Sequence, residues 1–171
     1  VLDAGVPGAT AEPAISSIIE HPQGRLVVST NARVPVDAGL AEQLLGSSGG
    51  GRAPDVVLVD GHNPELADLA LADEDEHGGH PVRILDGGSW KDRFEPLLPR
   101  IDIAVVSADF RVPGHDPNNP AAVADALGGY GINRVIRTDG PHPIRWWWDG
   151  RTGELEAQRV DAVSTMGAGD I

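Results

Sequence analysis

The chain has 171 residues, 40% of them hydrophobic, which fits one domain of ordinary size with a packed core and argues against wholesale disorder. Thirteen Lys and Arg against 26 Asp and Glu leave a net charge of −13, a field that repels phosphodiester backbones and anionic lipid and counts against nucleic acid and membrane surfaces as partners. Cysteine is absent, which removes disulfides and thiolate metal sites and makes a reducing cytoplasm the expected compartment.

Residues 1–13 are rich in Gly, Pro and Ala without a clear period and read as a loop. Ile15–Glu20 and Arg25–Thr30 are two β-rich runs around His21-Pro22-Gln23-Gly24, which predicts a hairpin. Ser47–Gly51 is a flexible loop. The short apolar run Asp55–Asp60 predicts a parallel strand covered on both faces. Asn63-Pro64-Glu65 supplies a cap, a proline for the first helical position and an acid in the first turn, so a helix is expected to about Ala72. Val82–Asp86 and Ile101–Ser107 predict further strands, Pro120–Leu127 a helix stopped by Gly128-Gly129, and Arg134–Thr138 a fourth strand. Strands alternating with helices indicate a parallel α/β sheet. Pro143–Trp148 and Leu155–Val160 predict a second hairpin around Asp149–Gly153. No apolar run approaches the ~20 residues of a membrane span.

The chemistry concentrates in the last residues, Ser164-Thr165-Met166-Gly167-Ala168-Gly169-Asp170-Ile171. Small residues let the backbone approach a ligand, and successive N–H groups at a helix start form an anion nest that can hold phosphate even in an acidic protein. A carboxylate at its edge, Asp170, can accept the proton of an attacking hydroxyl while the nest stabilises transferring charge. A glycine-rich turn with Asp as helix cap accounts for the same four residues.

Thr165 to Asp170 resembles the Asp-Thr-x-Gly-Ala-Gly-Asp signature of PfkB/ribokinase-family carbohydrate kinases, being compatible with six of its seven positions. The resemblance extends upstream in order. Ile15–Arg33 looks like the family's lid hairpin, and Ile84–Ser89 is similar to its strand ending in Asp-Pro-x. Val105–Phe110 falls where many members carry Asn-x-x-Glu, and Val135–Pro141 resembles the strand and Thr-x-Gly turn that meets the nucleotide. The implied architecture is a ribokinase-like α/β fold, a mostly parallel sheet flanked by helices, with residues 14–33 as a β-hairpin lid and 34–171 as a partial core. The implied activity is ATP-dependent phosphorylation of a hydroxyl on a sugar or sugar-like substrate. Asp170 would be the general base, Gly167, Ala168 and Gly169 the anion hole, Thr138 and Gly140 the nucleotide contacts, and Mg²⁺ the charge partner. In several members the lid also forms a homodimer. A non-catalytic nucleotide- or sugar-binding module of the same fold is the alternative.

Three departures qualify that picture. Ser164 replaces the acid that helps hold a monovalent cation in some members, which counts against potassium activation. Ser107 and Phe110 replace the Asn and Glu that organise the magnesium water shell. The chain starts at Val1 and stops at Ile171, so truncation at both ends is expected, and without the helix that Gly-Ala-Gly-Asp should open this chain alone is expected to be inactive. Outside the signature, Asp60, His62, His77 and His80 have metal-ligand spacing, although the surrounding glycines and acids suit a solvated loop. Asp86, Lys91 and Asp92 suit either a phosphate contact through Lys91, the single lysine, or a solvated loop with an ion pair. Trp146–Trp148 alternate faces in a strand, which makes at least one of them core or interface rather than a stacking platform.

Overall fold

The computed structural model describes residues 15–21, 24–30, 36–37, 39, 54–71 and 80–158. Strands β1 (Ile15–His21) and β2 (Gly24–Thr30) form a separate antiparallel pair in which Ile15 faces Thr30 and His21 faces Gly24, as the sequence predicts. The second sheet has six strands in sequential order: β3 (Val56–Asp60), β4 (Val82–Gly87), β5 (Ile103–Ser107), β6 (Arg134–Asp139), β7 (His142–Trp148) and β8 (Arg151–Leu155). The pairs from β3 to β6 are parallel, and β6 to β8 form an antiparallel meander. The fold is thus a mostly parallel α/β sheet.

Local chemistry sets the helix starts. Helix α1 (Pro64–Ala70) begins where the Asn63 side chain accepts the Leu66 N–H, with Pro64 in the first turn. Helix α2 (Pro120–Gly128) repeats the device, with Asn119 accepting the Ala121 N–H before Pro120. In both, proline occupies a position whose N–H would have no partner within the helix, and its fixed φ suits the first turn. Among the described residues no helix is long and apolar enough to cross a membrane.

The core lies on one face of the six-stranded sheet. Because side chains alternate along a strand, Val59, Leu85, Ala104, Val106 and Val135 share that face, and their buried side chains join those of Ala67 and Leu71 of α1 and Val123, Ala126 and Leu127 of α2. The opposite face carries Val56 and Leu58, 52% and 64% exposed. This differs from the expectation that β3 is covered on both faces. A continuous apolar run marks a strand suited to cover on both sides without specifying which segment covers it, and among the described residues helices pack on one side.

Two other elements differ from expectation. Strand β8 starts at Arg151 rather than Leu155, because Asp149 and Gly150 both take positive φ (48° and 81°) and close a two-residue turn. That turn matches strand twist and leaves no need for a five-residue loop. The segment Asp92–Arg100, unassigned from sequence, is a 3₁₀ helix burying Phe94, Leu97 and Leu98 against the core. Pro96 and Pro99 deny it regular α-helical hydrogen bonds, while the three-residue spacing of Phe94 and Leu97 matches three residues per turn. In β7, Trp147 packs against the core, whereas Trp146 lies across Gly153 of β8, where an added Cβ would come within 2.7 Å of the indole Cε2. Trp148 sits under the Arg134 guanidinium at 5.5 Å.

The one-sided core makes a direct prediction. Leu98→Ala, at a side chain 1% exposed, should lower unfolding free energy by about 2–5 kcal/mol. Leu58→Ala, on the open face, should change it by no more than about 0.5 kcal/mol. Urea unfolding of both variants checks the contrast.

Candidate functional site at the carboxyl edge of the parallel strands

Parallel pairing brings four strand ends to one edge. Asp60 at the end of β3 is in register with Asp86 of β4, and Ser107 at the end of β5 with Thr138 of β6. Neighbouring strands lie about 4.8 Å apart, so the four ends span about 14 Å. Open α/β sheets bind their ligands outside this edge, where loops are free of the ladder.

Each end has its own local geometry. The exposed Asp60 carboxylate accepts the His62 N–H at 2.9 Å, tightening the turn into α1. Ser107 donates its hydroxyl proton to the Gly88 carbonyl at 2.7 Å and accepts the Asp109 N–H at 3.1 Å, tying the turns after β4 and β5 together. Thr138 is exposed, Gly140 turns the chain at φ 53°, and Arg137, buried on the core face, meets Asp139 at 3.4 Å. Thr138 and Gly140 therefore both lie at this edge.

Phe110 is buried at 7% exposure and meets Trp90 edge-on, with centroids 5.6 Å apart and planes at 69°. Gly87 makes room for it, since a Cβ there would come within 2.8 Å of the Phe110 ring and 2.7 Å of Val106. Ser107 and Phe110, at the positions where the family resemblance places Asn and Glu, are thus committed to a turn and to packing. They do not fit the task of organising magnesium. Among the described residues no group of three or more His, Asp or Glu side chains gathers for a metal. His80 Nδ1 lies 3.0 Å from the Pro81 carbonyl, and His77 is outside the described residues.

Phe110 also walls off two open recesses. One is lined by Gly61, Asp86, Ser89, Trp90, Lys91 and Glu95 among others. The other is lined by Arg111, His115, Asp116, Asn119 and Arg137. No ion pair of Lys91 forms among the described residues, and Asp92 accepts the Trp90 indole N–H at 2.7 Å. Trp90, Arg93 and Glu95 were not legible as site residues, since their roles depend on the 3₁₀ turn. Gly167, Ala168, Gly169 and Asp170 lie outside the described residues, as do Ser164 and Thr165.

No protein-family model matches the chain, and no curated protein does. Solved structures do. A ribokinase from Giardia lamblia superposes with a TM-score of 0.71 at 14% identity, covering 96% of this chain and 53% of its own. Ribokinase from Thermotoga maritima gives 0.61 at 15% identity, covering 95% and 54%. Arabidopsis thaliana ribokinase, solved with ribose and ATP, gives 0.59 at 16% identity, covering 94% and 54%. The chain therefore has a ribokinase-like fold and spans about half the length of the solved structures it matches.

At the rim of the first recess the Tyr130 hydroxyl donates to Glu95 Oε1 at 2.5 Å. That hydrogen bond holds the phenol above its usual value, with burial and the Glu95 charge adding to the effect. Tyr130 is the single tyrosine of the chain, so ultraviolet titration reads it alone. The phenolate should appear at higher pH than in a free tyrosine, and Glu95→Ala should shift the curve back down. By linkage a raised phenol contributes stability that is full below the unfolded value and lost as pH rises through the folded one.

Proposed function

We propose, from the premise of a ribokinase-like fold, that the protein transfers the terminal phosphoryl group of ATP to a hydroxyl of a sugar or sugar-like alcohol. The observation that carries the proposal is the alignment of Asp60, Asp86, Ser107 and Thr138 at one carboxyl edge of that fold, in a chain whose sequence carries Gly167-Ala168-Gly169-Asp170. The solved Arabidopsis ribokinase with ribose and ATP supports the substrate class.

In this reading Asp170 accepts the acceptor hydroxyl's proton as the acceptor oxygen bonds to the terminal phosphorus, the bond from that phosphorus to the bridging oxygen breaks, and ADP leaves. The N–H groups of Gly167, Ala168 and Gly169 hold the charge that builds on the transferring group. Thr138 offers a hydroxyl to the nucleotide, and Gly140, at positive φ and with open space where a Cβ would stand, lets the nucleotide approach the backbone. Residues 14–33 act as a lid over the acceptor and 34–171 as the α/β core. Exposed Ile15, Ile18, Ile19, Val27 and Val28 on that hairpin suit pairing with a second copy. Bound magnesium would supply charge neutralisation; the described side chains provide no ligand set for it, so no step is assigned to it.

A non-catalytic binding module is the second reading, favoured by the commitment of Ser107 to a turn and of Phe110 to packing. Asp170→Asn in the full-length protein separates the two. Phosphoryl transfer from ATP to a sugar panel should fall by about a hundredfold to ten-thousandfold, the range expected for a lost general base, while calorimetric nucleotide binding survives. Turnover near the parent level in that variant rules out Asp170 as base. Nucleotide binding without transfer by the parent protein selects the binding module.

A further inference from the structure

We propose that Lys91 is the binding residue for a terminal phosphoryl group at this edge, placed there by packing rather than by an ion pair. The assignment rests on the phosphoryl-transfer reading and adds to it a residue outside the Gly-Ala-Gly-Asp signature. Most other cations in the described structure are engaged. Arg100 pairs with Asp68, Arg134 with Asp149, Arg137 with Asp139 and Arg145 with Glu154, while Arg93 donates to the Gly61 and His62 carbonyls at 3.3 and 3.1 Å. Arg111 and Arg151 are exposed. Lys91 is half-buried, lines the first recess, and its ammonium has no ion pair or hydrogen bond among the described residues. Among the described residues no carboxylate pairs with it, which leaves this half-buried lysine open to a ligand.

Its position is built into the backbone. The side chain lies across Gly61, where a Cβ would come within 2.7 Å of Lys91 Cδ and 3.2 Å of Nζ. Arg93, two residues on, fastens the start of the 3₁₀ segment to the same β3–α1 turn. The recess lies beside the ends of β3 and β4, and Gly61, under the Lys91 side chain, follows β3, three strands from β6, a distance of about 14 Å that an extended nucleoside triphosphate can span. One ligand can therefore touch Thr138 with one end and Lys91 with the other. Exposed Asp60 and Asp86 flank the place, so an anion needs a local cation to settle there, and the Ser107 and Phe110 positions supply no metal-organising group. A lysine ammonium acts on phosphate as a compact point charge.

Two ligands carry such a group, the nucleotide and a phosphorylated acceptor. The test titrates ADP, the β,γ-imido analogue of ATP, ribose and ribose 5-phosphate into full-length parent, Lys91→Met, Lys91→Arg and Gly61→Ala proteins at constant magnesium. Lys91→Met keeps an apolar stem over Gly61 and removes the charge. It should weaken the analogue about tenfold or more, as expected for a charge-assisted contact, while ADP stays within about twofold. Lys91→Arg should retain most of the affinity, and Gly61→Ala should reproduce the loss with the lysine still present. The same selective loss on ribose 5-phosphate but not ribose assigns the group to the acceptor instead. Equal loss for every ligand, or no loss for any, overturns the role of Lys91. A parent protein that binds neither nucleotide overturns the phosphoryl-transfer reading itself, a failure separable from the first.

Discussion

The parallel register of β3 to β6 is the constraint on which the rest depends. Pairing Asp60 with Asp86 and Ser107 with Thr138 sends four polar strand ends to one edge, and every turn that leaves the edge is then free to build a site. The ladder satisfies backbone groups within the strands, so the turns must find their own partners. They do so through side chains: Asp60 holds the His62 N–H, Ser107 bridges two turns, and Arg93 binds two carbonyls of the β3–α1 turn. Those contacts order the loops before any ligand arrives, which reduces the ordering cost of binding.

A second consequence concerns the core. One face of the sheet meets α1, the 3₁₀ segment and α2, and buried apolar side chains of the described residues collect there. Phe110 joins the two halves of the account. It completes the core next to Gly87 and, as the wall between the recesses, shapes the edge. Packing and site formation thus compete for one position, and packing holds it. If the protein handles phosphate, charge neutralisation must come from elsewhere, which gives Lys91, without an ion pair among the described residues, its significance.

Much of this was legible before the structure. Asn63-Pro64 and Asn119-Pro120 announce their helices because cap and first-turn chemistry is local, and β4 and β6 announce themselves through short β-branched runs bounded by turn residues. What stayed hidden was non-local. The proline-bearing 3₁₀ segment has no α period, the Asp149-Gly150 turn competes with a longer glycine loop, and the cover on β3 depends on segments distant in sequence. For the site, Thr138 and Gly140 could be placed from their motif. The placement of Lys91 could not, because its side chain lies across Gly61, thirty residues earlier, a contact no spacing rule encodes.

In the phosphoryl-transfer reading, the carboxyl edge of β3 to β6 receives a nucleotide and its phosphates. Hydrogen-exchange mass spectrometry of the full-length protein with and without the β,γ-imido analogue tests it without requiring turnover. Slower exchange concentrated in residues 86–91, 107–111 and 138–141 is the expected result. Unchanged exchange there, with protection confined to the β7–β8 hairpin or the amino ends of the strands, would contradict it.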